Sequence, residues 1–246
     1  MEDIGEFKNA REGYEIFIPG ETVDLVIPSL RAISQDNWHS WFNDPETTRY
    51  TNYGLFPNTP EKQIDFLSSL QEPNCRRLVL LIMPKNVDHA VGVVSLSNID
   101  FIHRSAETAV VIGERPTAKK SMFWAMEAKA RIVQHGFETL GLRRIGGAQT
   151  MPLAVWQNYQ LLFGFRPEGV ARASFARGHE VFDRVTSSCT YDDYLRVKNL
   201  REGKYWPGAA NLLKLMRSVP RASVAKLVQE AINDVVEDFT KGINFS

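Results

Sequence analysis

Cysteine is nearly missing from this chain: two of its 246 residues, Cys75 and Cys189, are the whole supply. Neither has a CxxC partner or a neighbouring His/Cys cluster, which excludes a disulfide framework and a cysteine-built metal site. Net charge is missing too. Lys+Arg 29 against Asp+Glu 29 leaves a formal charge of zero, so no global basic field draws in nucleic acid or an anionic membrane. Long apolar runs are absent. The longest, Leu78 to Met83, is far too short to cross a bilayer, and the acidic start Met1-Glu2-Asp3 lacks the build of a signal peptide. The five histidines, His39, His89, His103, His135 and His179, stand at no metal-ligand spacing. We expect no membrane partner, no metal and a reduced cytoplasmic setting, with nucleic acid left open only through a local basic patch. There is no internal repeat and no low-complexity tract. What remains is ordinary globular composition, 43% hydrophobic and 24% charged, in a chain long enough for a sizeable core.

The periodicities predict an order of elements. Val23 to Ile27 reads as a strand after the turn Pro19-Gly20-Glu21. Asp36 is expected to cap a helix through Trp38, Trp41 and Phe42. Thr59 and Pro60 open a second helix with Ile64, Leu67 and Leu70 on its apolar face. Leu78–Met83 and Ala90–Leu96 form a hairpin, and Thr108–Ile112 a further strand. A long helix follows, its stripe running from Trp124 through Ala128, Ile132, Val133, Phe137 and Leu140 to a stop at Gly141. Next come a strand at Arg144–Gln149, a helix at Val155–Phe163 and a hairpin turning at Arg177-Gly178-His179. The order predicts an α/β (α+β) fold: a mixed, mostly antiparallel central sheet with helices on both faces and a C-terminal helical extension. The expected divisions are 1–20 as an N-terminal extension, 21–198 as the domain, and 199–246 as the extension. Gly203 to Gly208 reads as a linker. Beyond it, Val224, Leu227, Val228, Ala231, Ile232, Val235, Val236 and Phe239 make one solid apolar helical face, which either packs on the domain or joins a partner, a homodimer being the expected form.

Several strings in this order resemble the GNAT superfamily of N-acetyltransferases, on the branch of ribosomal-protein N-terminal and amino-sugar acetyltransferases. They are Trp38 through Glu46, Asn98-Ile99-Asp100 with Ala106-Glu107, Glu127-Ala128, Phe137 through Ile145, and Phe163 through Gly169. The resemblance spans roughly 21–195. It implies acetyl-CoA as co-substrate, its pantetheine arm along Val110, Val111 and Ile112. Its pyrophosphate would meet the loop and helix start at Arg115, Lys119, Lys120, Ser121, Met122, Phe123 and Trp124, because a helix N-terminus offers unpaired N–H groups and a positive dipole. Asn158 would bond the pantetheine arm. The sequence departs from the pattern here, since closely spaced glycines are replaced by Lys120-Ser121-Met122-Phe123-Trp124. Thr150-Met151-Pro152 also stands where an Asn is common.

Acetyl transfer to an amine needs a base, a polarised thioester carbonyl and a protonated leaving thiolate. The resemblance places a base near Glu107, at the head of the Thr108–Ile112 strand. Glu114, at the other end of that strand, is a second candidate. Tyr159 is the candidate acid, although Gln160 occupies the family register and one helix position turns a side chain by about 100°. Trp38, Trp41, Phe42, Tyr53 and Phe56 are the candidate wall for the acceptor, with a plain core cluster as the alternative. The expected acceptor is a primary amine of a small molecule, amino-sugar or nucleotide-like, or a peptide N-terminus. The rival reading is a non-catalytic binding or scaffold protein of the same fold.

Overall fold

The computed structural model describes residues 13–115 and 117–243, except the side chains of Ala118 and Lys119. Residues 1–12 of the expected N-terminal extension lie outside it. The chain divides into two compact units with the boundary after Leu142.

The first unit runs β1 (Ile16–Ile18), β2 (Val23–Val26), α1 (Leu30–Ser34), α2 (Trp38–Trp41), α3 (Pro45–Thr48), α4 (Pro60–Ser69), β3 (Leu78–Pro84), β4 (Gly92–Asp100), β5 (Ser105–Ile112) and α5 (Ala118–Glu138). Its strands pair in sequence order, each antiparallel to the next. Val79, Leu81, Met83 and Val93 pack with Ala32, Ile33, Trp38, Trp41 and Phe42, with Val111 at the margin. α5 covers the other face. Burial on both faces is why β3 is a continuous apolar run and does not alternate.

Glu127 of α5 is fully buried and clasps the entry to β2. It accepts from the backbone N–H groups of Glu21 (2.5 Å) and Thr22 (2.8 Å), and from Arg131 (3.0 Å). A Cβ at Gly20 would lie 2.0 Å from the Val23 carbonyl and 2.8 Å from the Glu127 carboxylate, so glycine is needed there. A buried carboxylate survives because its lone pairs are taken.

Two expectations need correction. Asp36 caps no helix: it is buried and accepts from the Tyr14 hydroxyl and the Ala90 N–H, while Asn37, at φ 54°, precedes α2. On α4, Thr59 does accept from the Lys62 N–H. The helix, however, is rolled so that Phe66, Leu67 and Leu70 pack on the core, leaving Ile64 exposed.

The second unit runs β6 (Arg144–Thr150), α6 (Ala154–Gln160), β7 (Arg166–Arg177), β8 (Glu180–Thr190), α7 (Tyr191–Asn199), α8 (Ala209–Ser218) and α9 (Val224–Thr240). β8 pairs antiparallel with β6 on one side and β7 on the other. Gly178 makes the hairpin turn at φ 60° and Gly164 leaves the α6 segment at φ 77°, both left-handed positions that favour glycine. The expected linker is instead packed interior. Tyr205 and Trp206 are buried, the Tyr205 hydroxyl donates to the Phe163 carbonyl at 2.7 Å, and the Trp206 ring lies parallel to Phe163 at 6.2 Å. α7 opens on a reciprocal Thr190/Asp193 capping box. α9 packs on β7 and α6 by its first turns.

Candidate active site

The site begins with β5. Its residues alternate, Ala106 and Thr108 buried, Glu107 and Ala109 exposed. Period two puts Glu107 on the same sheet face as Val111, which packs toward the Trp38 and Trp41 cluster. Glu107 is paired in register with Ser97, next to the irregularity in β4 where Asn98 takes φ 50°. A polar cleft of about 490 Å³ opens at this end of the sheet, with Glu72, Cys75, Arg76, Arg77, Asn98 and Asp100 in its walls.

At the other end of β5, the chain passes through Gly113 to α5. A Cβ on Gly113 would fall 2.1 to 2.6 Å from the Trp41 ring atoms, so the indole lies directly over that backbone. Trp41 is buried, and its ring N–H meets no acceptor among the described residues. Thr117 caps α5, accepting from the Lys120 N–H at 3.2 Å. The first turn of α5 holds no acidic residue, so nothing on the helix neutralises the positive end of its dipole. Lys120 is exposed beside it, Met122 and Phe123 are half-buried, and Trp124 is buried. The side chain of Lys119 lies outside the described residues. That joint fits an anionic phosphate at the level of backbone and charge, without the glycines of the family pattern.

Several expected ligands are spent elsewhere. Arg115 reaches back to α3, donating to the Thr47 hydroxyl at 3.2 Å and lying 4.0 Å from Glu46. The Ser121 hydroxyl donates to the Thr117 carbonyl at 2.9 Å, one turn behind it. Glu114 accepts from His89 at 2.8 Å. About five strand residues at roughly 3.3 Å each separate it from Glu107, so the two carboxylates serve different places. Burial alone lowers the His89 pKa, but hydrogen bonds to Asp88 and Glu114 outweigh it and hold the imidazole above its ordinary value. Asn158 is buried and holds the approach to α9. Its amide donates to the carbonyls of Pro220 (3.0 Å) and Ala222 (2.8 Å) and accepts from the Val224 N–H (3.1 Å). Tyr159 is half-buried on α6, in the second unit.

The expected aromatic wall divides. Trp38, Trp41 and Phe42 are core, whereas Tyr53 and Phe56 are exposed, Tyr53 touching Phe42 at 4.7 Å between centroids. The alternative of a plain core cluster holds for the first three, because they fill the layer between the sheet and α1, α2 and α4. The Gly113–Trp41 contact and the His89–Glu114 pair were not anticipated. The only signal for either was a glycine directly after a strand and a histidine in a turn.

Residues 29–149 match the family model described as Acetyltransferase (GNAT) domain. That stretch, just under half of the chain, contains α1 to β5, α5 and most of β6, and its similarity to a GNAT acetyltransferase domain supports an acyltransferase enzyme with acetyl-CoA as co-substrate. No curated protein matches the chain. Among solved structures, the spermidine N-acetyltransferase from Vibrio cholerae in complex with CoA and spermine is 20% identical, with a TM-score of 0.59 over 71% of this chain and 98% of that one. The microcin C7 self-immunity acetyltransferase MccE, in complex with acetyl-CoA and AMP, is 19% identical, with a TM-score of 0.57 over 70% and 93%. A GCN5-related N-acetyltransferase from Brucella melitensis is 18% identical, with a TM-score of 0.61 over 85% and 96%. At these identities the likeness is one of fold. No helix among the described residues is long and apolar enough to cross a membrane.

Proposed function

We propose that this protein transfers an acetyl group from acetyl-CoA to a primary amine of a small polar molecule, amino-sugar or nucleotide-like, with the N-terminus of a peptide as the variant acceptor. The observation that carries the reading is the β5–α5 joint: a strand that ends on Gly113 under Trp41 and leads into a helix start without acids. A pyrophosphate there would meet backbone N–H groups, the helix dipole and Lys120, and the pantetheine arm would run back along Val110 to Ile112. That direction brings the thioester toward Glu107. Its carboxylate would take the amine proton, directly or through one water, as nitrogen attacks the carbonyl carbon and the carbon–sulfur bond breaks. The polar cleft beside Asn98 favours a hydrophilic amine over an aromatic one, since the indoles that were to form the wall are core. The fold's presence in a spermidine acetyltransferase and in MccE is consistent with small amine acceptors.

A second reading has its own support. Arg115 and Ser121 are engaged within the protein, and the loop lacks glycine, which favours a non-catalytic binding protein. Release of free thiol from acetyl-CoA, followed across a panel of amino sugars, aminonucleosides, polyamines and short peptides, separates the two. Acceptor-dependent release with at least one amine supports the transferase. No release above hydrolysis with any of them supports the rival.

A further inference from the structure

We infer that the acceptor amine carries an anionic group, a phosphate or a carboxylate, and that Arg77 binds it. The inference rests on the transferase reading above, whose acceptor site it extends. Alternate residues of a strand share one face. Val79 and Leu81 of β3 and Val93 of β4 pack with Trp38 and Trp41, with Val111 of β5 at the margin, so the odd-numbered positions of all three strands turn to that side. Glu107 pairs in register with Ser97. Leu78 pairs with Leu96, and the Ile99 N–H donates to the Arg76 carbonyl at 3.1 Å. The ladder therefore runs on past Leu78 and sets Arg77 beside Ser97. Arg77, Ser97 and Glu107 form one row across three strands, on one face of the sheet. Two strand spacings put the Arg77 and Glu107 backbones about 10 Å apart, with only the small side chain of Ser97 between them. A molecule the size of an amino acid or a sugar spans that gap.

Charge says what that molecule carries. Arg77 lines the polar cleft of about 490 Å³ at this end of the sheet. It is exposed, and among the described residues neither Arg77 nor Glu72 makes a side-chain hydrogen bond or ion pair. The other acid of the cleft is already committed. Asp100 accepts from the N–H groups of Ile102 (2.8 Å) and His103 (2.9 Å). Its carboxyl is held below its ordinary value, first by the His103 N–H and last by the charge of Arg76. Asp100 thus answers Arg76, and the Arg77 guanidinium is left over. An unpartnered guanidinium in a cleft is a two-pronged donor that matches a carboxylate or a phosphate. Asn74 and Asn98 offer amides to hydroxyls, and Glu72 offers a carboxylate to a cation. A polyamine, all cation, would set its charges against Arg76 and Arg77. An amine with its own anion meets Glu107 at one end of the row and Arg77 at the other.

Thiol release from acetyl-CoA at low salt tests this with acceptors that share an amine and differ in the anion: glucosamine against its 6-phosphate and its uronic acid, and alaninol against alanine. At least one anionic member should exceed its neutral counterpart by about tenfold or more in kcat/KM, mostly through KM. Which member gains says whether the group is a phosphate or a carboxylate. Arg77→Gln should lower that ratio by about tenfold, and Arg77→Lys, which keeps the charge without the fork, should recover part of it. Neutral members used as well as anionic ones, or a ratio unchanged in Arg77→Gln, overturns the proposal and leaves the transferase reading standing. If no amine releases thiol, calorimetric titration of the full chain with glucosamine 6-phosphate, glucosaminuronic acid and alanine decides. Saturable heat that Arg77→Gln abolishes upholds the anion site while the transferase reading falls. No heat with any of the three overturns the anion site as well.

Discussion

Replacing Gly113 by alanine places a methyl group where the Trp41 ring now lies, 2.1 Å from one ring carbon and 2.3 and 2.6 Å from two others. Those distances are far inside carbon–carbon contact, and the obstacle is a rigid indole held in the core at 4% exposure, not a flexible chain end. Overpacking of this kind typically costs about 1–3 kcal/mol, and the geometry argues for the upper end. For a chain of this size, 1 kcal/mol shifts the melting temperature by about 2–4 °C, so Gly113→Ala should melt roughly 6–12 °C lower. Differential scanning calorimetry with and without a second change makes the cause testable. Trp41→Ala alone should be severe, about 3–5 kcal/mol for a large core aromatic. Adding Gly113→Ala to it should then cost less than about 1 kcal/mol, because the clash has been removed and the two residues are in contact. A Gly113→Ala protein that melts like the wild type would refute the reasoning, as would strict additivity in the double variant.

The other expectations are more local. Glu107→Gln should lower turnover roughly 100-fold or more while acetyl-CoA affinity holds, the loss shrinking at high pH where the amine is already neutral; near-normal turnover at neutral pH would make Glu107 a strand-end charge. Lys120→Ala should weaken acetyl-CoA binding several-fold at low salt, below the full charge-assisted contact of about 1.5–3 kcal/mol because the group is exposed, whereas Arg115→Ala, already engaged with Thr47, should change it little. His89 has a raised pKa in the folded chain. Its contribution is therefore complete below the ordinary imidazole value of 6.5 and lost as pH rises through the folded value. The melting deficit of His89→Gln should be larger at about pH 5.5 than at about pH 8.5, and an equal or reversed deficit would contradict the pairing with Glu114. Tyr205→Phe should cost about 1–2 kcal/mol through the lost bond to the Phe163 carbonyl, read by urea denaturation, and no loss would return residues 203–208 to the status of a loose connector.

Strands and long helices were legible because burial leaves a period in the sequence. β3, β4, β5 and α5 fall where their apolar patterns predict, and the Thr59-Pro60 start of α4 was readable from capping chemistry alone. Tertiary commitments of polar groups left no such trace. Asp36 reads as a helix cap until burial beside Tyr14 gives its carboxylate another use. Asn158 reads as a cofactor ligand until the carbonyls of Pro220 and Ala222, far along the chain, take its amide. The tract from Gly203 to Gly208 has linker composition, yet Tyr205 and Trp206 supply two large rings that find Phe163. The aromatic string from Trp38 to Phe56 shows the same limit. Helical spacing identifies an apolar face, but only the sheet beneath it decides which rings become core and which stay at the surface.

Isothermal titration of the full chain with acetyl-CoA at low salt bears most directly on the central claim, that the β5–α5 joint holds the co-substrate despite its glycine-free loop. Binding should saturate at one acetyl-CoA per chain, be competed by CoA, and weaken with added salt as phosphate contacts are screened. The melting temperature should rise as acetyl-CoA concentration increases. No heat and no thermal shift at millimolar acetyl-CoA would contradict it, and would leave a GNAT fold that binds something else.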